Sequence, residues 1–178
     1  MKATIVVMLL AVTAVAQQTQ NRPNIFAACG PIGVDFKTET STARPPAQPE
    51  PGKALVYVVE DYRAISWTSP TIKVGVDGAW MGATHHTSYL FFSVDPGEHH
   101  LCINWQSSLE QASFARLVAE PGKTYYFRAR PHTFSRQWDN GYLDLDAIDP
   151  DEGQYLVASS PLVESHPKNK KIKQVCCP

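Results

Sequence analysis

The sequence predicts an all-β protein: a single β-sandwich of about seven to nine mostly antiparallel strands. Three observations carry this. From Lys53 onward the chain breaks into short runs rich in Val, Tyr, Phe and Leu, bounded by Gly, Pro or Asp. Three of those runs follow the same Pro-Gly punctuation, at Pro51-Gly52, Pro96-Gly97 and Pro121-Gly122, with unequal spacing that marks repeated turn chemistry and not a repeat protein. The chain has 178 residues, 43% of them hydrophobic, which suits one domain with one core.

The elements follow in order. "MKATIVVMLLAVTAVA", residues 1–16, sets one lysine before an apolar run and ends on small residues, the layout of a secretory signal, so the mature chain is expected to begin near Gln17. The run falls short of the ~20 apolar residues that span a bilayer, and no transmembrane anchor is expected after cleavage. Residues 17–52 form an N-terminal arm, a short strand in "VDFKTET" and a connector with four prolines between Arg44 and Pro51. Residues 53–165 are the sandwich, with strands expected in "KALVYVVE", "TIKVGV", "SYLFFSV", "HHLCINW", "KTYYFRAR", "GYLDLDAI" and "QYLVASS". The segment "SSLEQASFARLVAE" has Leu109, Ala112 and Leu117 near helical spacing and is read as a helical turn or two. Residues 166–178 make a basic, Cys-containing tail whose lysines 168, 170, 171 and 173 are read as solvated.

Charge excludes one class of partner. Loss of Lys2 with the signal leaves 15 basic against 17 acidic residues, so no global field draws the chain to nucleic acid. Four cysteines in an exported chain favour disulfides over metal. The disulfide candidates are Cys29, Cys102, Cys176 and Cys177, and their connectivity stays open.

The turns carry structural residues. Asp77-Gly78 suits a two-residue hairpin turn with positive φ at both positions, and Gly82 marks a bulge or a close backbone approach. The turn Asp95, Pro96, Gly97, Glu98 is read as joining "SYLFFSV" to "HHLCINW" in one hairpin, pairing Val94 with His99, Phe92 with Leu101, Leu90 with Ile103 and Ser88 with Trp105. His99 is then a rim residue hydrogen-bonded near the turn. In that register the pairs His85-His86 and His99-His100 lie about 23 Å apart at roughly 3.3 Å per residue, too far to share an ion. The opposite face, Tyr89, Phe91, His100, Cys102 and Asn104, is too apolar to be left in water. The N-terminal arm is expected to cover it, tied by a Cys29–Cys102 bond. The acids Asp139, Asp144, Asp146, Asp149, Asp151 and Glu152 lack a calcium-loop spacing and read as a wet strand edge.

With these residues in view, "PGKALVYVVED", "IKVGVDGAWMGAT", "SYLFFSVDPGEHHLCINWQS", "AEPGKTYYFRAR" and "LVASSPLVESHPK" resemble the bacterial exported proteins of domain-of-unknown-function family 2846 (DUF2846). The resemblance implies an extracytoplasmic β-sandwich of unassigned activity. "VGVDGAWMGAT" with "VDPGEHHL" is similar to PEGA-type β-domains, which implies a PEGA-like or immunoglobulin-like architecture and supplies no catalytic residues.

No catalytic, cofactor-binding or metal-ligating residues are assigned. The leading functional expectation is a non-catalytic binding or structural protein of the cell envelope, periplasmic or extracellular, whose partner is an envelope protein or a glycan. An alternative is glycan or peptidoglycan recognition through exposed aromatics, with Trp67, Trp80 and Trp138 as candidate contacts. A metal-dependent hydrolase built on His86 or His100 is the third.

Overall fold

The computed structural model describes residues 28–62, 71–106, 111–132 and 141–168. Among them run ten strands and one short helix: β1 Phe36–Thr40, β2 Ala54–Glu60, β3 Thr71–Val76, β4 Ala79–His85, β5 Ser88–Val94, β6 Gly97–Trp105, β7 Ala112–Ala119, β8 Thr124–His132, β9 Tyr142–Ile148, α1 Pro150–Ala158 and β10 Val163–Pro167. Two four-stranded sheets, ordered β5-β2-β8-β9 and β4-β3-β6-β7, form a β-sandwich, and β1 pairs with β10 in a separate two-stranded ribbon. That ribbon takes the strand count past the nine expected.

Strand alternation sends every second side chain into the space between the sheets. Ala54, Val56 and Val58 of β2, Leu90 and Phe92 of β5, Ile72 and Val74 of β3, Leu101 and Ile103 of β6 and Phe127 of β8 meet there in one core. β2 is buried along its whole length because its other face, Leu55, Tyr57 and Val59, packs under Leu156 of α1 and Leu162. β2 and β8 run parallel, and their Glu-Pro-Gly-Lys turns lie side by side, with Gly122 N–H donating to the Lys53 carbonyl (2.8 Å).

Three expectations are corrected. β5 and β6 do not pair: β5 hydrogen-bonds to β2, and β6 to β3 and β7, so the Pro96-Gly97 corner carries the chain from one sheet to the other. The inward and outward faces are nevertheless as the alternation predicts, because crossing the sandwich preserves them. Second, "QYLVASS" belongs to α1, where the Asp149 side chain caps the N–H groups of Asp151 and Glu152 and Pro150 opens the first turn. Third, β7 occupies the part of "SSLEQASFARLVAE" from Ala112 onward, since Ala115, Leu117 and Ala119 at period two fill the core; residues 107–110 lie outside the described residues.

The sandwich has two open seams, one between β4 and β5 and one between β7 and β9. The β1–β10 ribbon closes the first. Val163 enters the core, Ser165 Oγ accepts the Ala83 N–H (3.0 Å), and the Tyr89 N–H donates to the Pro161 carbonyl (3.0 Å).

Candidate functional site

The outer face of the second sheet carries the N-terminal arm. Cys29 and Cys102 stand at disulfide distance, their Cα atoms 5.1 Å apart, in a small apolar cluster with Ala28, Trp80 and Ala112. The Trp80 indole N–H donates to the Pro31 carbonyl (2.9 Å), and the Lys73 ammonium sits 4.5 Å from the indole ring centre while donating to the Val34 carbonyl (3.3 Å). Lys73 is almost wholly buried, and the Val34 carbonyl and the indole face both lie against its ammonium. Gly30 and Gly75 lie against the indole so closely that a Cβ on Gly30 would overlap it. The arm thus covers Cys102 and Asn104, but the expectation that it also covers Tyr89 and Phe91 is corrected: those face α1, on the other sheet. His100 stays half-exposed on the second sheet.

The turn end of the sandwich holds a compact polar clamp. Asp77 and Gly78 both have positive φ (48° and 83°), which closes β3 onto β4. Asp77 Oδ1 accepts the His100 N–H (2.9 Å) and Oδ2 faces His99 Nδ1 (2.6 Å), while His99 Nε2 faces the Asp95 carbonyl (2.7 Å). Both ring nitrogens of His99 therefore meet acceptors, and the doubly protonated ring satisfies both. Burial opposes that charge, but the bonds to Asp77 and Asp95 outweigh it and raise the His99 pKa. Burial likewise works against the Asp77 carboxylate, and the His100 N–H with the two histidines holds its pKa below the ordinary value. Farther along, β4 shifts register opposite Val74 and Gly75, and a Cβ on Gly82 would collide with Ser165 of the closing ribbon.

Further titratable groups meet in pairs toward the far end. His85 Nδ1 lies 3.1 Å from Thr71 Oγ1, and its ring contacts that of His86 in the β4–β5 turn. On β8 and β9, His132 meets Asp144 (2.9 Å) and stacks on Tyr142, Arg130 meets Asp146 (2.7 Å), and Arg128 pairs with Glu152 of α1. Among the described residues no group of three or more His, Cys, Asp or Glu converges to hold a metal ion.

Two residues that sequence reasoning did not single out stand out among the described residues as buried charged side chains. One is Lys73. The other is Glu60, fully buried, which continues the inward face of β2 and has no hydrogen-bond partner for either carboxyl oxygen among the described residues. Burial pushes its pKa up to about 8, against a weaker pull from the Thr84 hydroxyl, which is directed at the Ile72 carbonyl (3.5 Å). The signal was present: in "ALVYVVE" the period of two sets Glu60 on the face of Ala54, Val56 and Val58.

Among the described residues no segment covers the seam between β7 and β9. A groove of about 360 Å³ runs along it, lined by Leu117, Val118, Tyr125, Phe127, Ile148 and Pro150 among others. Of the three tryptophans expected to meet a ligand, Trp80 is engaged by the arm, and Trp67 and Trp138 lie outside the described residues, as do Cys176 and Cys177. Among the described residues no helix is long and apolar enough to cross a membrane. Residues 50–141, more than half of the chain and spanning β2 to β8, match the family model described as "Protein of unknown function (DUF2846)". No curated protein matches the chain.

Proposed function

The chain belongs to the DUF2846 family of proteins of unknown function, and from that premise we propose that it is an exported, non-catalytic β-sandwich that binds or braces a component of the cell envelope, in the periplasm or outside the cell. The observation that carries the reading is the Cys29–Cys102 pair, which pins the arm across the sheet; oxidising compartments are where such bonds persist. The apolar run with small residues before Gln17 supports the same compartment. The non-catalytic part rests on how three of the six described histidines are used. His99 is held by Asp77 and Asp95, His132 by Asp144, and His85 by Thr71, so each contributes to a turn or a strand pair.

Expression in a bacterial host with its own export machinery, followed by fractionation and mass spectrometry with and without alkylation, tests this. The expected result is a chain in the extracytoplasmic fraction that begins near Gln17 and has Cys29 and Cys102 protected from alkylation. A full-length cytoplasmic chain with both thiols reactive would overturn export. Turnover of a cell-wall substrate lost on one substitution would overturn the non-catalytic part.

A further inference from the structure

We propose that Glu60 works a latch on the β4–β5 turn: while its carboxyl holds a proton the turn stays shut, and loss of that proton opens this end of the sandwich and leaves the rest folded. The inference concerns the fold itself and does not rest on export or binding. Three of the five buried polar side chains among the described residues lie at this one place: Glu60, Thr84 and Ser88, none more than 1% exposed. Glu60 ends β2, and Ser88 opens β5 directly across from it on the inner face of the first sheet. Thr84 pairs with Ile72 and so faces inward from the second sheet. The other elements packed against β2 bring no charge to that face: β8 sets Ala129 beside Glu60, and α1 lies on the outer face with Leu156. The neighbouring titratable side chains are Asp61 and Tyr62, next along the chain, and His85 and His86 in the turn.

The arrangement leaves the carboxyl without a donor. Thr84 directs its hydroxyl at the Ile72 carbonyl (3.5 Å), and Ser88 donates to the His85 carbonyl (3.0 Å) while accepting the His85 N–H (3.2 Å). Both inner hydroxyls are thus committed to backbone, and neither carboxyl oxygen has a partner among the described residues. A neutral carboxylic acid tolerates such a site, whereas a carboxylate needs donors or water. Burial accordingly raises the Glu60 pKa to about 8. When the proton leaves for water, the donor within reach is Ser88, directly opposed on the neighbouring strand. Turning its hydroxyl to the carboxylate breaks the bond to the His85 carbonyl, and that bond closes the turn. The rest of the turn is set to follow. His86 sits at φ 60°, a region costly for a residue with a Cβ, and the Thr87 hydroxyl reaches the carbonyl of Tyr62 (2.8 Å), so movement at the end of β2 is felt there. Glu60, His85 and Ser88 all stand at strand ends, where opening costs less than global unfolding.

The test is amide hydrogen exchange followed by NMR on the purified full chain from pH 5 to 9, corrected for intrinsic rates, with Glu60→Gln and Ser88→Ala beside the parent. Asp61, whose N–H donates to the Ala129 carbonyl (2.9 Å), and His85 report the latch, and Leu55, whose N–H donates to the Lys123 carbonyl (2.9 Å), reports the opposite end. In the parent, opening at Asp61 and His85 should rise about tenfold per pH unit up to about 8 and level off above it. It should be indifferent to dilute urea, while exchange at Leu55 quickens with urea. Glu60→Gln should flatten the pH course. Ser88→Ala should open the turn about tenfold more at every pH and keep the slope. The parent and Ser88→Ala decide the matter even if the Gln variant does not fold. Opening at Asp61 that ignores pH in the parent, or keeps its pH course in Glu60→Gln, would overturn the proposal. So would exchange at Asp61 that matches Leu55 in rate and urea response, because the carboxyl would then reach water only through global unfolding.

Discussion

At the scale of single residues, Glu60 and His99 give the fold a pH dependence of one sign. Between its ordinary value of 4.5 and about 8, the buried Glu60 carboxyl keeps a proton that the unfolded chain has released, so stability falls as pH rises through that window, by a few kcal/mol in all. Glu60→Gln keeps the shape and removes the titration. Chemical denaturation at a series of pH values should show a flatter profile, and above pH 8 the variant should be the more stable protein. His99 acts in the same direction. Its folded pKa is raised, so the stability it contributes is complete below the ordinary value of 6.5 and is lost as pH rises through the folded value. Asp77→Asn should bring the His99 titration, followed by NMR, back toward 6.5 and cost about 1 kcal/mol through the weakened turn. A His99 pKa unmoved by that change would contradict the clamp.

At the scale of elements, two close approaches decide how the arm and the helix sit. Gly30→Ala sets a methyl group against the Trp80 indole, and the arm should lift, raising Trp80 fluorescence quenching by iodide while the core melts nearly as before. Gly153→Ala should behave contrary to helix propensity. A helical Gly→Ala change normally gains about 1 kcal/mol, but here the new Cβ would overlap the Tyr126 ring, so a lowered melting temperature is expected. The elements were also unequally legible in the sequence. Asp77-Gly78 announced its turn because its demand is local: two residues able to take positive φ. "QYLVASS" looked like a strand because Tyr155 and Val157 favour strands, yet the upstream Asp149-Pro150 cap and the need to cover Leu55 and Tyr57 made it a helix. Tertiary demand overrode propensity there, and again in β7, where Leu117 answers to the core and not to a helical face.

At the scale of the whole molecule, the faces of β5 and β6 could be read from alternation, while their partners could not, because a four-residue corner serves a hairpin and a sheet change equally well. The same scale governs the Cys29–Cys102 bond, whose partners are 73 residues apart. In the chain-entropy account, closing a loop of that length stabilises by about 4 kcal/mol, so reductant or Cys29→Ala should lower the melting temperature while leaving the β-type circular dichroism of the oxidised protein in place below the transition. The side-by-side Glu-Pro-Gly-Lys turns have a kinetic meaning. They open β2 and β8, a parallel pair at the centre of one sheet, where Leu55 stands beside Thr124. No hairpin can nucleate that ladder, because β3 to β7 must first be looped out between its two strands. Refolding should therefore run on the millisecond-to-second scale of non-local β topologies. Val58→Ala in β2 should slow it more, per unit of lost stability, than Val74→Ala in the local β3–β4 hairpin, an order that stopped-flow measurements on the two variants would read directly.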